Sequence, residues 1–205
     1  MSTVAPETSF RLFLAGRERG IPVSDVAISG STPAAESGSL TLFGGGDQQA
    51  FESIAPIFRS IARQWFYMGP SGSGVAMKLV VNTVLGVGMQ AIAEALALGG
   101  QLGLSRDLLF DTLSKTAVVA PAHLGKLATA MRNDYRPQFP LRLMGKDFDL
   151  ILSKAAEIRV EMPATLAAAQ RNAMEAIGGG DQDFSAVIRL MEQVAEADRS
   201  VPPAA

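Results

Sequence analysis

Lys78 and Asn82 stand four residues apart, at the end of the run Gly69-Pro-Ser-Gly72-Ser-Gly74-Val-Ala-Met-Lys78-Leu-Val-Val-Asn82. Glycines at 72 and 74 permit close backbone approach where a helix begins, and a four-residue spacing places the ammonium and the carboxamide on one helix face. A lysine held beside a substrate can pass a proton to or from a hydroxyl or carbonyl oxygen, with a neighbouring amide to orient it. The spacing alone fits a second role equally well. Lys78 could snorkel from an apolar helix while Asn82 makes an ordinary hydrogen bond between helices.

Upstream, the apolar run Val23 to Ile28 ends in Ser29-Gly30-Ser31-Thr32-Pro33. A Ser-Gly turn after a strand offers backbone N–H groups and a hydroxyl to a carboxylate, although such a run also serves as a plain polar turn. Other features carry less. His123 has no second His or Cys at ligand spacing and reads as a surface or helix-capping residue. Asp181 and Asp183 flank a helix start after a glycine run, so capping by Asp183 explains the pair. Gly-x-Ser-x-Gly is not found in the strand-to-helix setting of a hydrolase nucleophile, and no metal site is expected.

These residues need a scaffold to position them. The chain has 205 residues, 48% of them hydrophobic, enough for a core of its own. Its 18 basic and 20 acidic residues leave a net charge of -2, so no basic surface is expected for nucleic acid or an anionic membrane. The absence of cysteine rules out disulfides and thiolate chemistry and fits a reducing compartment. No secretory signal is visible in residues 1–20, and a cytoplasmic protein is expected.

Helical spacing in Pro6 to Arg19 and Gln48 to Ile61, the latter with Asp47 as N-cap, alternates with strand-like runs at Val23 to Ile28, Leu40 to Phe43 and Arg63 to Met68. From Gly69 onward the pattern is helical: Val75 to Leu102, Leu108 to Leu113, Leu124 to Met131, a face of Leu141, Met144, Phe148, Leu152 and Ala155, then Pro163 to Ile177 and Phe184 to Ala195. Lys78, Asn82, Gln90 and Glu94 would be costly in lipid, so Val75 to Leu98 reads as a buried helix and not as a membrane span. The fold class expected is mainly α: a partial α/β segment (1–69), an all-α domain (70–198) entered through a long interdomain helix, and a frayed tail (199–205).

The glycine run with Lys78 and Asn82 resembles G-x-x-G-x-G-x-x-x-K-x-x-N-N, the catalytic-helix motif of the 3-hydroxyisobutyrate dehydrogenase type of β-hydroxyacid dehydrogenase, with Val81 replacing the first asparagine. Asp25-Val-Ala27-Ile-Ser29-Gly30-Ser31 is similar to that family's substrate loop, D-A-P-V-S-G-G. Here Ala27 and Ser31 replace a proline and a glycine beside where a carboxylate would bind. Phe139-Pro-Leu-Arg-Leu-Met144-Gly-Lys146-Asp147 is similar to F-x-x-x-L-M-x-K-D-L, and Ser2-Thr3-Val4-Ala5-Pro6-Glu7 to S-T-x-x-P-E. The resemblance runs from Ser2 to about Met191.

The resemblance implies hydride transfer between NAD or NADP and a small 3-hydroxy acid or its semialdehyde, with Lys78 as acid/base. It also implies that Ser29, Gly30, Ser31 and Asn82 bind substrate, and that Thr3, Phe139 and Lys146 touch the cofactor. With no family in view, Phe139 is core and Lys146 pairs with Asp147 or Asp149 on the surface. The dinucleotide fingerprint G-x-G-x-x-G is not among these residues, so the chain is expected to lack most of a Rossmann domain. Two other readings follow: a non-catalytic helical dimerisation module, and an imine reductase, against which Lys78 argues. The family resemblance implies a homodimer or tetramer through the helical domain.

Overall fold

The computed structural model describes residues 2–199. The expected tail lies outside the described residues from Ser200 onward. Three strands, β1 (Ser24–Ser29), β2 (Leu40–Gly46) and β3 (Ala62–Gly69), and ten helices make up the described chain: α1 (Pro6–Arg17), α2 (Thr32–Glu36), α3 (Gln48–Ser53), α4 (Ala55–Ile61), α5 (Ser73–Gln101), α6 (Arg106–Ser114), α7 (Pro121–Met131), α8 (Leu141–Glu157), α9 (Pro163–Gly179) and α10 (Val187–Arg199). The fold is mainly helical, with a small sheet in its first third.

Two compact units divide the described residues, one of 2–83 with 150–161 and one of 84–149 with 162–199. In the first, the sheet runs β1-β2-β3, with β1 antiparallel and β3 parallel to β2. The parallel pairing requires a crossover, which α3 and α4 provide. Asp47 caps α3 by accepting the Ala50 N–H at 2.7 Å. The periodicity predicts one helix over 48–61, whereas two form, separated at Ile54. Pro56, at the start of α4, has no N–H to give and its ring clashes with a carbonyl one turn earlier, which ends α3. A second departure is α2, which forms where the sequence suggests a plain polar turn.

One sheet face packs on this crossover. Leu40, Leu42, Phe51, Phe58 and Ala62 are its buried centre, with Val26, Ile28, Trp65 and Tyr67 around them. Gly44 is required here, because a Cβ would overlap the Phe51 ring. The opposite face anchors α5. The Asp25 carboxylate accepts the Gly72 N–H at 2.7 Å and the Val75 N–H at 3.0 Å, so a strand side chain caps the helix. Close approach depends on two glycines: a Cβ on Gly45 would lie 2.8 Å from Asp25 Oδ1, and one on Gly74 would lie 2.9 Å from Asp25 Oδ2.

The second unit is all helix. Arg106 at the start of α6 donates to the carbonyls of Ala130 and Met131 at 2.8 and 2.7 Å and to Glu192 of α10, filling carbonyls left open at the end of α7. Met89, Leu127, Met144, Phe148 and Ile188 lie in its core. Along α8 the buried stripe uses Ile151 where the sequence reading placed Leu152. The glycine run at 178–180 ends α9. By length and composition α5 could cross a membrane, and its most apolar stretch is 39% buried. The expected buried helix is thus buried on one side, while Val80, Val84 and Leu98 are exposed.

Replacing the carboxylate that caps α5 removes two charge-assisted hydrogen bonds. Asp25→Ala is therefore expected to cost about 2 kcal/mol and Asp25→Asn less. Urea unfolding read by Trp65 fluorescence measures this, and unchanged midpoints in both variants would dismiss Asp25 as the cap. Glu7 supplies a pH-dependent contact, because the hydrogen bond from Lys154 holds its carboxyl below the ordinary 4.5. A depressed folded value means that the contact stabilises above 4.5 and is lost as pH falls through the folded value. In an NMR titration the Glu7 midpoint should lie below 4.5 and move back up in Lys154→Met.

Candidate functional site

Capping by Asp25 fixes where α5 starts, and with it the positions of Lys78 and Asn82. Lys78 follows Val75 by about 4.5 Å along the axis, and Asn82 lies about 6 Å beyond it. Asn82 is 0% exposed, while Lys78 is half-buried. A solvated helix face would leave the amide in water, so this pair belongs to a packed environment. Both stand in the unit that also holds Ser29, Gly30, Ser31 and Thr3.

Alternation along β1 puts Asp25, Ala27 and Ser29 on one face and Val26 and Ile28 on the other. The odd-numbered face is the one on which Asp25 meets the start of α5. Ser29 therefore shares its sheet face with the helix that carries Lys78. Gly30 has φ 129° and a Cβ there would lie 2.8 Å from Leu40 Cδ2, so no other residue fits the turn without strain. Ser31 follows in extended conformation as the N-cap of α2, and its hydroxyl caps no backbone N–H of that helix. Thr3 is half-buried just ahead of α1.

Asp25 is the residue whose role sequence reasoning missed. An acidic side chain inside an apolar strand run was the available signal, since such a group needs partners when folded. Its two partners are backbone groups 47 and 50 residues away, and no local pattern announces them.

Phe139 and Lys146 fall in the other unit. Phe139 is half-buried just before α8, with its ring edge-on to Phe184 at 5.7 Å. Lys146 is exposed, and its ammonium lies 2.9 Å from the carboxylate of the buried Asp147, one of the two partners a surface role would give it. It lines a cavity of about 410 Å³ between α8 and α9, together with Arg142, Gly145, Asp149 and Asn172. The wall is firm there, because Asn172 is buried and donates to the Leu141 carbonyl at 3.1 Å.

Two minor features resolve differently. His123 is buried and not a surface or capping residue: it is 4% exposed, with Nε2 2.9 Å from the Leu85 carbonyl. Gly88 makes the room, since a Cβ there would lie 2.7 Å from the imidazole. Asp183 does cap, accepting the Ser185 N–H at 3.2 Å. Among the described residues no cluster of three or more His, Cys, Asp or Glu could hold a metal ion.

Comparison with known proteins bears on the fold and the family. Residues 72–191 match the family described as NAD-binding of NADP-dependent 3-hydroxyisobutyrate dehydrogenase, and residues 1–69 match the NAD binding domain of 6-phosphogluconate dehydrogenase. The chain is 38% identical to glyoxylate/succinic semialdehyde reductase 1 of Arabidopsis thaliana, over 94% of this chain and 67% of that protein. It is 34% identical to 2-(hydroxymethyl)glutarate dehydrogenase of Eubacterium barkeri, over 95% of this chain and 65% of that one. The chain thus spans about two thirds of the length of these relatives. Among solved structures, the Mycobacterium tuberculosis 3-hydroxyisobutyrate dehydrogenase with L-serine superposes with a TM-score of 0.83 at 29% identity, covering 93% of this chain and 68% of that one. Two adjoining family matches and a shared fold over nearly its whole length make the chain a member of the 3-hydroxyisobutyrate dehydrogenase family.

Proposed function

We propose that this chain carries the substrate-handling part of an NAD(P)-dependent oxidoreductase that interconverts a small 3-hydroxy acid and its semialdehyde. The observation that carries the reading is α5, in which Lys78 and the buried Asn82 stand one turn apart beyond an N-terminus pinned to the sheet by Asp25. When bound, the nicotinamide supplies or takes the hydride. Lys78 gives its proton to the carbonyl oxygen in reduction and a lysine amine takes it back in oxidation, a contribution of about 100- to 10,000-fold in rate. Asn82 orients Lys78 or the substrate hydroxyl. Ser29 and the N–H groups of Gly30 and Ser31 hold the carboxylate, which fixes the acid end of the substrate.

The residues present fit only one end of a dinucleotide. Exposed Lys146 lines an open cavity, and the family resemblance gives it and half-buried Phe139 contacts to the nicotinamide end, as it gives one to Thr3 in the other unit. The glycine loop that would cradle a pyrophosphate is not among the 205 residues. The names of two relatives, glyoxylate/succinic semialdehyde reductase and 2-(hydroxymethyl)glutarate dehydrogenase, make short acids with an aldehyde or hydroxyl the first substrates to try.

A second reading rests on the apolar side of α5, where Val80, Val84 and Leu98 are 58, 66 and 61% exposed, with Leu102 just beyond its end 72% exposed. That stripe favours pairing of two copies of this chain through α5, whether or not the chain is catalytic.

The decisive experiment titrates NADH and NADPH into the purified chain, then assays glyoxylate and succinic semialdehyde. Binding that weakens in Lys146→Ala is the outcome that supports the reading. Lys78→Ala should lower kcat at least about 100-fold with little change in KM. No binding of either dinucleotide would sink the enzymatic reading for this chain alone. Analytical ultracentrifugation decides the pairing: a Val84→Glu/Leu98→Lys variant should sediment as monomer where the parent is a dimer, and identical sedimentation would remove α5 as the interface.

A further inference from the structure

Lys126 of α7 and Asp183 form an ion pair of 2.5 Å with side chains only 7 and 3% exposed. Sequence reasoning found only a cap at Asp183, yet this carboxylate is the centre of a buried network. One oxygen, Oδ2, accepts from Lys126 and also from the backbone N–H groups of Gln138 and Phe139 at 3.0 and 3.1 Å. The other, Oδ1, accepts from the Ser185 hydroxyl at 2.8 Å and from its N–H. Lys126 donates as well to the Gln138 side chain at 3.1 Å, and its ammonium stands 5.4 Å from the centre of the Phe184 ring.

The backbone around Asp183 joins in. Pro140 and Asp183 form an antiparallel bridge, and the Phe184 N–H donates to the Phe139 carbonyl at 2.9 Å. The first N–H groups of α8, those of Leu141 and Arg142, have no partner within their own helix and donate to the carbonyls of Gln182 and Gly180 at 2.8 and 3.0 Å. Residues 180–184 therefore act as a splint along 138–142, and these contacts close around Phe139 and the first turn of the helix that carries Lys146.

A buried ion pair is a poor device for stability alone, because apolar side chains of the same volume often do as well. A carboxylate can, however, collect several N–H groups at one point, which an apolar group cannot. We propose that Asp183, neutralised by Lys126, is the positioning residue for the nicotinamide end of the cofactor site. It holds the Phe139 ring and the start of α8 in the geometry that places Lys146. The proposal rests on the cofactor roles assigned above to Phe139 and Lys146. Neither Asp183 nor Lys126 needs to touch the cofactor.

The test uses the full chain with Lys126→Met/Asp183→Asn, which removes both charges at nearly constant volume, and with Asp181→Asn as control. Asp181 pairs with Arg142 on the surface, two residues away, and serves no amide of 138 or 139. Three readouts are taken: urea unfolding, amide exchange of residues 138–142 by mass spectrometry, and NADH and NADPH affinity by fluorescence titration. The double variant should fold but unfold at a lower urea midpoint, because a carboxamide offers one acceptor oxygen where the carboxylate offers two. Its amides at 138 and 139 should exchange about tenfold faster, and dinucleotide should bind about tenfold more weakly. Asp181→Asn should match the parent in the exchange of the amides at 138 and 139, which separates loss of the Asp183 network from loss of a neighbouring surface charge.

A folded double variant with parent-like exchange overturns the proposal, whether or not the parent binds dinucleotide. Faster exchange with parent-like affinity overturns it too, because the network would then be structural only. If the double variant does not fold, Asp183→Glu replaces it, keeping the charge while displacing the acceptor, and the same outcomes decide. A parent that binds neither dinucleotide refutes the enzymatic reading instead, and the exchange rates still report on the splint.

Discussion

The capping of α5 by Asp25 is the contact on which the geometry of the first unit turns. A helix N-terminus presents N–H groups with no partners in their own helix, and their dipoles sum to a partial positive charge. Placing a strand carboxylate against those groups binds the helix to the sheet at a defined rotation and height, which a purely apolar contact would leave free to slide. Gly45 and Gly74 bring the two backbones close enough for the contact to form, so the two glycines and the acid act as one device. Lys78 and Asn82 then inherit their places from helical geometry alone.

The second unit solves the same problem with the polarity reversed in sequence. There the helix to be placed is α8, and the group that places it lies downstream, in the stretch after α9. Asp183 again supplies a carboxylate to backbone N–H groups, but deep enough that Lys126 is needed to balance its charge. Desolvation separates the two cases. The hydrogen bonds of Asp25 are only part-buried, so two N–H groups and a helix dipole suffice, whereas Asp183 is almost fully shielded from water and needs a full countercharge.

Much of this architecture could be read from local pattern. The alternation in Val23 to Ile28 and the three- and four-residue spacing along Leu141, Met144 and Phe148 report which face is buried, because burial repeats with the geometry of the element. Asp47 and Asp183 were legible as caps because a cap acts on residues two or three positions away. The break at Ile54 was hidden because apolar spacing continues across it while Pro56 interrupts only the hydrogen-bond ladder. Helix α2 has five residues, too short to build a period. The candidate site residues were found by family resemblance; spacing alone left Lys78 and Asn82 open to a structural role. Asp25 to Gly72, Lys126 to Asp183 and His123 to Leu85 span 47, 57 and 38 residues, and contacts of that reach have no signature in a window of the sequence.

On β1, the residue that holds the helix and the residues proposed to meet the substrate are kept apart. Asp25 secures the helix from one end of the strand, while Ser29, Gly30 and Ser31 occupy the other end and the turn beyond it. The departures from the family's loop, Ala27 and Ser31 among them, leave both Asp25 and the glycine at position 30 intact. Such a strand is modular along its own length. On the proposed reading, changes at the turn would retune which acid is recognised without disturbing the register of Lys78, so one mechanical frame would serve chains that differ in what they bind.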